Sequence, residues 1–484
     1  MAQDEVGLEA DVVVIGAGAA GLSAALTASF GGATTVVLEE ATTVGGMSRY
    51  AEGLFAVESR LQKKLKIGLT VEEAFRRHMN ESHWEANARL VRTFMDKSSE
   101  TIDWLEGLGV KLRSVARIYP DGPLVWHMME RLAGPSLINP LAKKAKADGI
   151  RILTETPATT LAMNNGKVAG VAAKGKNGES VEISCKTVVV ASGGYQDNSE
   201  WVRKYCKAGS YTGPLMPAKQ RGWPIQMAWD AGAAAEGLGV VQAFILVAGV
   251  RNLRSHFMHA GMQPYLWINT HGERFCDEGI VWQFPWCSNA LARQPRAEAY
   301  CVFDEDTKEL LRERRGVQYV IGEFVDPGSN LVDLDEEIAE GVREGNAFCS
   351  GSISELASQI GANEPQLQAT IDEYNVCCET NVDFVFGKDR TYLRAIRCPK
   401  FYAIRLGLKI LITDGGIKIN DKAEVIDKQD KVIPGLYAAG CCAGGMVGST
   451  YVVSTTGGSL GFAVGSGRMA GESVLRYLAT EKAI

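Results

Sequence analysis

The stretch DVVVIGAGAAGLSAALTASFGGATTVVLE, Asp11 to Glu39, constrains the fold more than any other part of the chain. Asp11–Ile15 is a short apolar run rich in β-branched residues, the pattern of a strand buried on both faces. Gly16, Gly18 and Gly21 follow with the spacing G-x-G-x-x-G. The first glycine permits a tight turn, the second lets backbone approach a pyrophosphate, and the third lets a helix pack on the strand. Ala19 and Ala20 open a run of small apolar residues to Phe30, a helix whose first N–H groups would face phosphates. Thr35–Leu38 reads as the next strand, and Glu39 ends it where a carboxylate accepts hydrogen bonds from a ribose diol. The spacing predicts a dinucleotide-binding βαβ unit; the alternative is a βαβ unit whose glycine turn is purely structural.

A chain of 484 residues exceeds what one core usually supports, so two domains, or one with a large insertion, are expected. Its net charge of −6 gives no basic footprint for nucleic acid. Met1–Ala10 is acidic rather than signal-like, and no apolar stretch reaches the ~18 residues of a membrane span. A cytoplasmic protein without an integral membrane segment is expected. The eleven cysteines include the vicinal pairs Cys377/Cys378 and Cys441/Cys442 but no C-x-x-C, so neither a metal nor covalent haem is expected and the thiols read as reduced.

After Glu39 and Glu40, the run Gly45-Gly46-Met47-Ser48 can bring N–H groups and a hydroxyl to a phosphate or flavin, or can be an ordinary turn. Residues 70–108 carry helical periodicity, and the loop RIYPDGP carries Tyr119. Thr160–Met163, Val168–Ala173 and Val181–Ser184 alternate between Asn-Gly turns, which predicts a small antiparallel sheet. Thr187–Ala191 is a second buried strand ending in Ser192-Gly193-Gly194, at the kind of strand end that surrounds ligands in open α/β sheets. From 243 to 402 the chain is richer in Trp, Phe and His and has no second nucleotide fingerprint. The expected organisation is therefore a nucleotide domain from 1–242 and 403–484 with 243–402 inserted.

VVVIGAGAAGLSAAL, VGGMS, TVVVASGGY, NTHGERFCDE, PKFYAI, TDGGIKI, PGLYAAG and GSLGFAVGSGRMAG together resemble the flavoprotein family of soluble fumarate reductases, the succinate dehydrogenase flavoprotein and the 3-ketosteroid dehydrogenases. The resemblance implies an α/β fold: a Rossmann-type FAD-binding domain with a small antiparallel sheet and an inserted α+β capping domain. It implies FAD as cofactor. Gly16, Gly18, Ala19, Ala20 and Gly21 would bind the pyrophosphate, and Glu39, with Glu40 beside it, the ribose. Gly45, Gly46, Met47, Ser48 and Gly53 would run along diphosphate and flavin, with Ala158 at the adenine and Ala191, Ser192 and Gly193 at the second turn. Gly440, Cys441, Ser459 and Leu460 would meet the ribityl chain and flavin, although the family usually has Glu or Asn where Cys441 stands. Trp223-Pro224 likewise replaces an expected Asp-Gly.

The resemblance also implies a substrate class through its departures. A dicarboxylate clamp and an arginine proton donor would fall at Phe244, Trp282, Leu411 and Ser454, where none of the expected groups stands. A dicarboxylate would be desolvated there without partners. Phe244, Trp282, Leu411 and Tyr451 suit an apolar ring. Gly448-Ser449-Thr450-Tyr451 resembles the G-x-T-Y of the 3-ketosteroid dehydrogenases, and Tyr119-Pro120-Asp121 resembles their Tyr-Pro-Glu.

The expected enzyme is an FAD-dependent oxidoreductase acting on CH–CH groups, exchanging hydride between flavin N5 and the carbon β to a carbonyl. Its leading form is a desaturase of a cyclic ketone, a 3-keto steroid or smaller ring. Tyr451 would polarise the ketone oxygen beside the backbone N–H of Gly457, Tyr119 would serve as acid or base, and Trp282 would stack. The alternatives are an ene-reductase of an enone or unsaturated carboxylate, with Arg251, Arg254, His256 or His259 as anion partner, and a flavin-binding electron-relay subunit. Electrons would pass to or from a separate donor or acceptor. Glu273, Arg274 and His127 read as structural.

Overall fold

The computed structural model describes residues 6–130, 134–206, 213–250, 252–320 and 325–482, and among them no helix is long and apolar enough to cross a membrane. The chain forms two compact units. The first comprises Met1–Lys207, Met216–Gln242 and Ile412–Ile484; the second comprises Ala208–Leu215 and Ala243–Leu411. The later crossing lies at 411/412 rather than 402/403 because the strand Phe401–Ile417 runs through both positions without a break, so no turn marks it.

In the first unit the fingerprint strand Val6–Ile15 pairs in parallel with Thr35–Leu38 on one side and Ser180–Val190 on the other. Val432–Ala438 continues the sheet beyond Ser180–Val190, and Arg151–Leu153 continues it beyond Thr35–Leu38. Two strands predicted as separate, Val181–Ser184 and Thr187–Ala191, are one strand here. Its first half pairs antiparallel with Lys167–Lys174 and its whole length with Val6–Ile15, so the ladder carries it through Cys185 and Lys186. For the same reason the first strand begins at Val6 rather than Asp11. Ala158–Asn164 completes the small antiparallel sheet.

The first helix, Ala19–Phe30, packs on the C-terminal helix, Gly458–Glu481. A Cβ on Gly467 would lie 2.3 Å from the Ala20 carbonyl oxygen, and one on Gly471 would lie 2.6 Å from Thr27 Cβ. The two bare positions, one helical turn apart, permit this approach. His127 is an interior histidine: Nε2 lies 2.6 Å from Ser59 Oγ and Nδ1 3.0 Å from the Val125 carbonyl. Burial lowers its pKa to about 4.

The second unit is built on a five-stranded sheet in the order Ala235–Val247, Phe401–Ile417, Ala299–Asp304, Leu266–Asn269, with Ala347–Ser350 also paired to Phe401–Ile417. Helices Ile353–Ile360 and Glu364–Thr380 bury Leu356, Ile360, Leu367 and Ile371 against Leu266, Ile268 and Val302 of this sheet.

Beside that core lies a buried ion network. Arg274 donates to Glu278 (2.8 Å) and Asp383 (2.7 Å), and Lys388 lies 3.2 Å from Glu278. Lys388 also donates to the Tyr265 carbonyl (2.7 Å) and the Tyr374 hydroxyl (3.0 Å). Two cations and two carboxylates balance, and Arg274 further lies over the Tyr374 and Phe386 rings.

Glu278 bridges both cations, so its neutralisation leaves a buried positive charge without a partner. Glu278→Gln should lower the unfolding free energy by about 3–5 kcal/mol in urea titrations. A loss below about 1 kcal/mol would show that the network does not hold the second unit together.

Candidate functional site

A cavity of about 550 Å³ opens in the first unit where the parallel strands end. Gly16, Gly18, Ala19, Ala20, Glu39, Glu40, Gly45, Gly46, Met47, Ser48, Ala158, Ala191, Ser192, Gly193, Gly440 and Cys441 line it. Gly21, Gly53, Ser459 and Leu460 do not. Gly21 turns inward, where a Cβ would lie 1.8 Å from the Gly16 carbonyl oxygen, and Gly53 pairs with Met128 in a short sheet. Ser459 and Leu460 open the C-terminal helix beside Tyr451.

The donor set suits a diphosphate joined to a ribose. The first helix starts at the cavity, where Ser48 Oγ accepts from Ala19 N (3.2 Å) and Gly18, at the N-cap, has no side chain to offer the N–H groups that follow, which an anion can meet. Gly16, Gly45 and Gly193 hold left-handed φ values of 106°, 117° and 74°, which side-chain-bearing residues rarely adopt. The Ser192 hydroxyl is buried without a protein partner. Glu39 Oε2 accepts from Ala17 N (2.8 Å) and Oε1 from Ala41 N (2.8 Å), which orients the carboxyl and leaves a lone pair on each oxygen. Burial nevertheless raises its pKa.

The stretch Ala218–Trp223 also lines the cavity, and sequence reasoning did not single out its polar members. Asp197 Oδ2 takes the N–H groups of Ala218 (3.0 Å) and Gln220 (2.8 Å). Gln220 Oε1 in turn accepts from Gly194 N (3.0 Å). Lys219 and Arg221 lie beside Glu40 and bring positive charge. No local spacing announces these residues, because the contacts join segments some 20 residues apart or more.

Tyr451 is buried in the loop before the C-terminal helix. Its oxygen accepts from the Ser459 hydroxyl at 3.2 Å and is also approached by the Ser459 N–H, an arrangement that strengthens the phenol as a donor. Burial holds its pKa well above the usual tyrosine range. Gly457, with φ 76°, turns the chain into the helix. Its carbonyl accepts from Phe55 N at 3.0 Å.

Helix Val71–Glu81 fastens the same loop. Glu81 Oε1 accepts from Val453 N (2.7 Å) and Oε2 from Ser454 N (2.9 Å). His78 Nε2 meets the Met446 carbonyl (2.8 Å), and Glu85 accepts from Ser449 N (2.7 Å). Tyr119, half-buried in its own loop, feels the Glu81 charge, which together with burial raises its pKa.

Asp414, within the T-D-G-G motif, was not assigned a role from sequence. Burial raises its pKa to about 7, while the Cys441 thiol hydrogen-bonds it and pulls the other way. Its Oδ2 is buried without a partner.

In the second unit Phe244 stacks on Phe284, with ring centres 4.5 Å apart. Trp282 donates Nε1–H to the Tyr392 hydroxyl (3.0 Å) and meets Tyr319 edge-on at 5.0 Å. Leu411 is half-buried on the strand Phe401–Ile417. Of the expected anion partners, Arg254 is exposed, His256 Nδ1 accepts from Asp333 N (3.0 Å), and His259 is buried with Nε2 on the Leu253 carbonyl (3.0 Å). Arg251 lies outside the described residues.

A family model described as "FAD binding domain" matches residues 11–457. A vinyl phenol reductase of Lactiplantibacillus plantarum is 32% identical over 479 residues, covering 96% of each chain. A 3-oxosteroid 1-dehydrogenase of Mycolicibacterium smegmatis is 24% identical, covering 96% of this chain and 97% of its own. The open conformation of a flavocytochrome c3 fumarate reductase superposes with a TM-score of 0.73 at 26% identity, covering 97% of this chain and 78% of that one.

Asp414 makes a measurable pH signature. Its folded carboxyl keeps its proton to about pH 7, whereas its ordinary value is 3.8, so its contribution to stability is complete below 3.8 and lost as pH rises through 7. At about 1.4 kcal/mol per pKa unit, the loss between about pH 4 and 7 is about 4 kcal/mol. Urea titrations of the FAD-free protein should show the stability difference between wild type and Asp414→Asn shrinking or reversing by that amount. A difference that stays flat across the range would mean that the carboxyl is ionised throughout.

Proposed function

The chain belongs to the FAD binding domain family, and on that premise we propose that it saturates the C=C bond of a small, uncharged, ring-bearing alkene of the vinyl phenol type. The coarser statement stands without the proposal: it is an FAD-dependent oxidoreductase of the fumarate reductase family that acts on the C=C bonds of unsaturated compounds. The observation that carries the finer reading is the chemistry of the candidate side chains. Tyr451, Phe244, Trp282 and Leu411 are aromatic or aliphatic, with a neutral phenol as the polar group, and none is a cation that would hold a carboxylate. The end-to-end similarity to a vinyl phenol reductase supports the same substrate class.

When bound, FAD supplies hydride exchange at N5. Gly16, Gly18, Glu39, Gly45, Gly46 and Ser192 would hold it. Tyr451, oriented by Ser459, donates a hydrogen bond to the substrate oxygen and fixes the position of the conjugated ring and its alkene. Tyr119 delivers the proton to the carbon that does not receive hydride. Phe244, Trp282 and Leu411 of the second unit offer the apolar and aromatic faces that suit such a ring, and a separate electron carrier restores the flavin.

A second reading is favoured by one observation. Gly448-Ser449-Thr450-Tyr451 carries the tyrosine that a cyclic-ketone desaturase would place on its ketone, and a 3-oxosteroid 1-dehydrogenase is among the relatives. The two readings separate in anaerobic spectroscopy. The vinyl phenol reading expects photoreduced flavoprotein to reoxidise on addition of 4-vinylphenol, with no bleaching of oxidised protein by 3-keto steroids or cyclohexanones; the reverse pattern installs the desaturase. In either case Tyr451→Phe should retain FAD and lower kcat/KM by about a hundredfold. Full turnover by that variant would remove Tyr451 from the mechanism.

A further inference from the structure

We propose that Glu81 is a specificity residue: its carboxylate fills the adjacent N–H groups of Val453 and Ser454 and so denies the Tyr451 loop to carboxylate-bearing substrates. The inference rests on the reading that this loop faces substrate.

Two successive backbone N–H groups aimed at one point form a concavity that selects anions. Here both are taken by the protein's own carboxylate, at 2.7 and 2.9 Å, one on each oxygen. Arg77, on the same helix, pairs with Glu73 at 2.7 Å, and at Tyr119 its charge opposes that of Glu81 but is the smaller of the two. The field of Glu81 reaches Tyr119, whose pKa burial and this charge both raise.

The arrangement is not a loose surface contact. The loop is tied to the same segment at His78, Glu85 and Asn87, whose N–H donates to the Gly445 carbonyl at 2.8 Å. A Cβ on Gly448 would lie 2.7 Å from the Ser82 carbonyl oxygen, so the loop also lies close along the end of the helix. Ser454 is buried, and its hydroxyl lacks a protein partner. A substrate carboxylate entering here meets a like charge and finds both N–H donors occupied, while a phenol or ketone oxygen meets only neutral donors.

The test compares ligands that differ only in charge, on the FAD-loaded protein. 4-Hydroxycinnamate and its methyl ester are titrated into wild type, Glu81→Asp and Glu81→Gln, and binding is read from the perturbed flavin absorption. Wild type and Glu81→Asp should bind the ester at least about tenfold more tightly than the acid, and Glu81→Gln should tighten the acid by about tenfold while leaving the ester within about threefold. Equal binding of acid and ester by wild type overturns the assignment, as does a Glu81→Gln change that is the same for both ligands. Should Glu81→Gln not fold, Glu81→Ala repeats the comparison with both N–H groups open, and an acid-to-ester ratio there equal to that of wild type overturns the assignment. Failure of wild type to turn over 4-vinylphenol would count against the proposed reaction, whereas the change in the acid-to-ester ratio on substituting Glu81 bears on Glu81 alone.

Discussion

The parallel pairing of Val6–Ile15 with Ser180–Val190 is the interaction on which the rest of the first unit depends. Nine residue pairs in register, ending at Ile15↔Val190, bring the two strands to a common level. Ala191 N then donates to the Ile15 carbonyl at 2.8 Å, and the turns at Gly16 and Ser192 open side by side. The approach is so close that a Cβ on Gly16 would fall 2.4 Å from the Ala191 carbonyl oxygen. A glycine there is thus a condition of the sheet as well as of the cofactor. Helix Ala19–Phe30 must then lie flat on the strands, and the bare faces of Gly467 and Gly471 let the C-terminal helix lie on it in turn. Segments from the start, middle and end of the chain meet at one cavity because a single ladder fixes all three.

What could be read from the sequence follows the range of the interaction. The placement of Gly16, Gly18 and Glu39 at the cavity and of Gly21 against Gly16 was legible because it is set by neighbours within 30 residues and by a spacing with a stated geometric cause. The cavity lining by Gly45–Ser48 and Ala191–Gly193 was legible for the same reason, each being a strand end followed by small residues. Gly53 was expected along the cofactor; its backbone is engaged in a sheet with Met128, 75 positions away, a pairing that no local pattern announces. Glu81 was invisible: its partners lie 372 and 373 residues along the chain, and nothing in a helical glutamate says which N–H groups it will meet. Asp414 stood inside a motif, yet its protonation depends on burial by elements that the motif does not contain.

The second unit shows the opposite balance. Arg274 and Glu278 lie four apart in a run that reads as a charged turn, and only the fold shows them fully enclosed with Asp383 and Lys388. Four charges removed from water together are tolerable because each finds an opposite charge within 3.2 Å and Lys388 finds a carbonyl besides. Phe244 and Trp282 were noticed as departures from a charged pattern, and their surroundings extend that character: Phe284 under one, Tyr319 and Tyr392 around the other.

Three carboxyls of the first unit show how one functional group is given three surroundings. Glu39 and Glu81 each receive two backbone N–H groups, one per oxygen, at 2.7 to 2.9 Å. At Glu39 the two donors favour the ionised form, but burial outweighs them and draws the pKa upward. Asp414 receives a thiol and no backbone donor strong enough to matter, so burial prevails and the acid holds its proton near neutrality. The pattern follows the chemistry each place has to do. An orienting acceptor suits a ribose, and a carboxyl spanning two successive N–H groups fixes the loop at Val453 and Ser454. A neutral acid suits the buried place beside Cys441, where a fixed charge would have no partner to offset its burial.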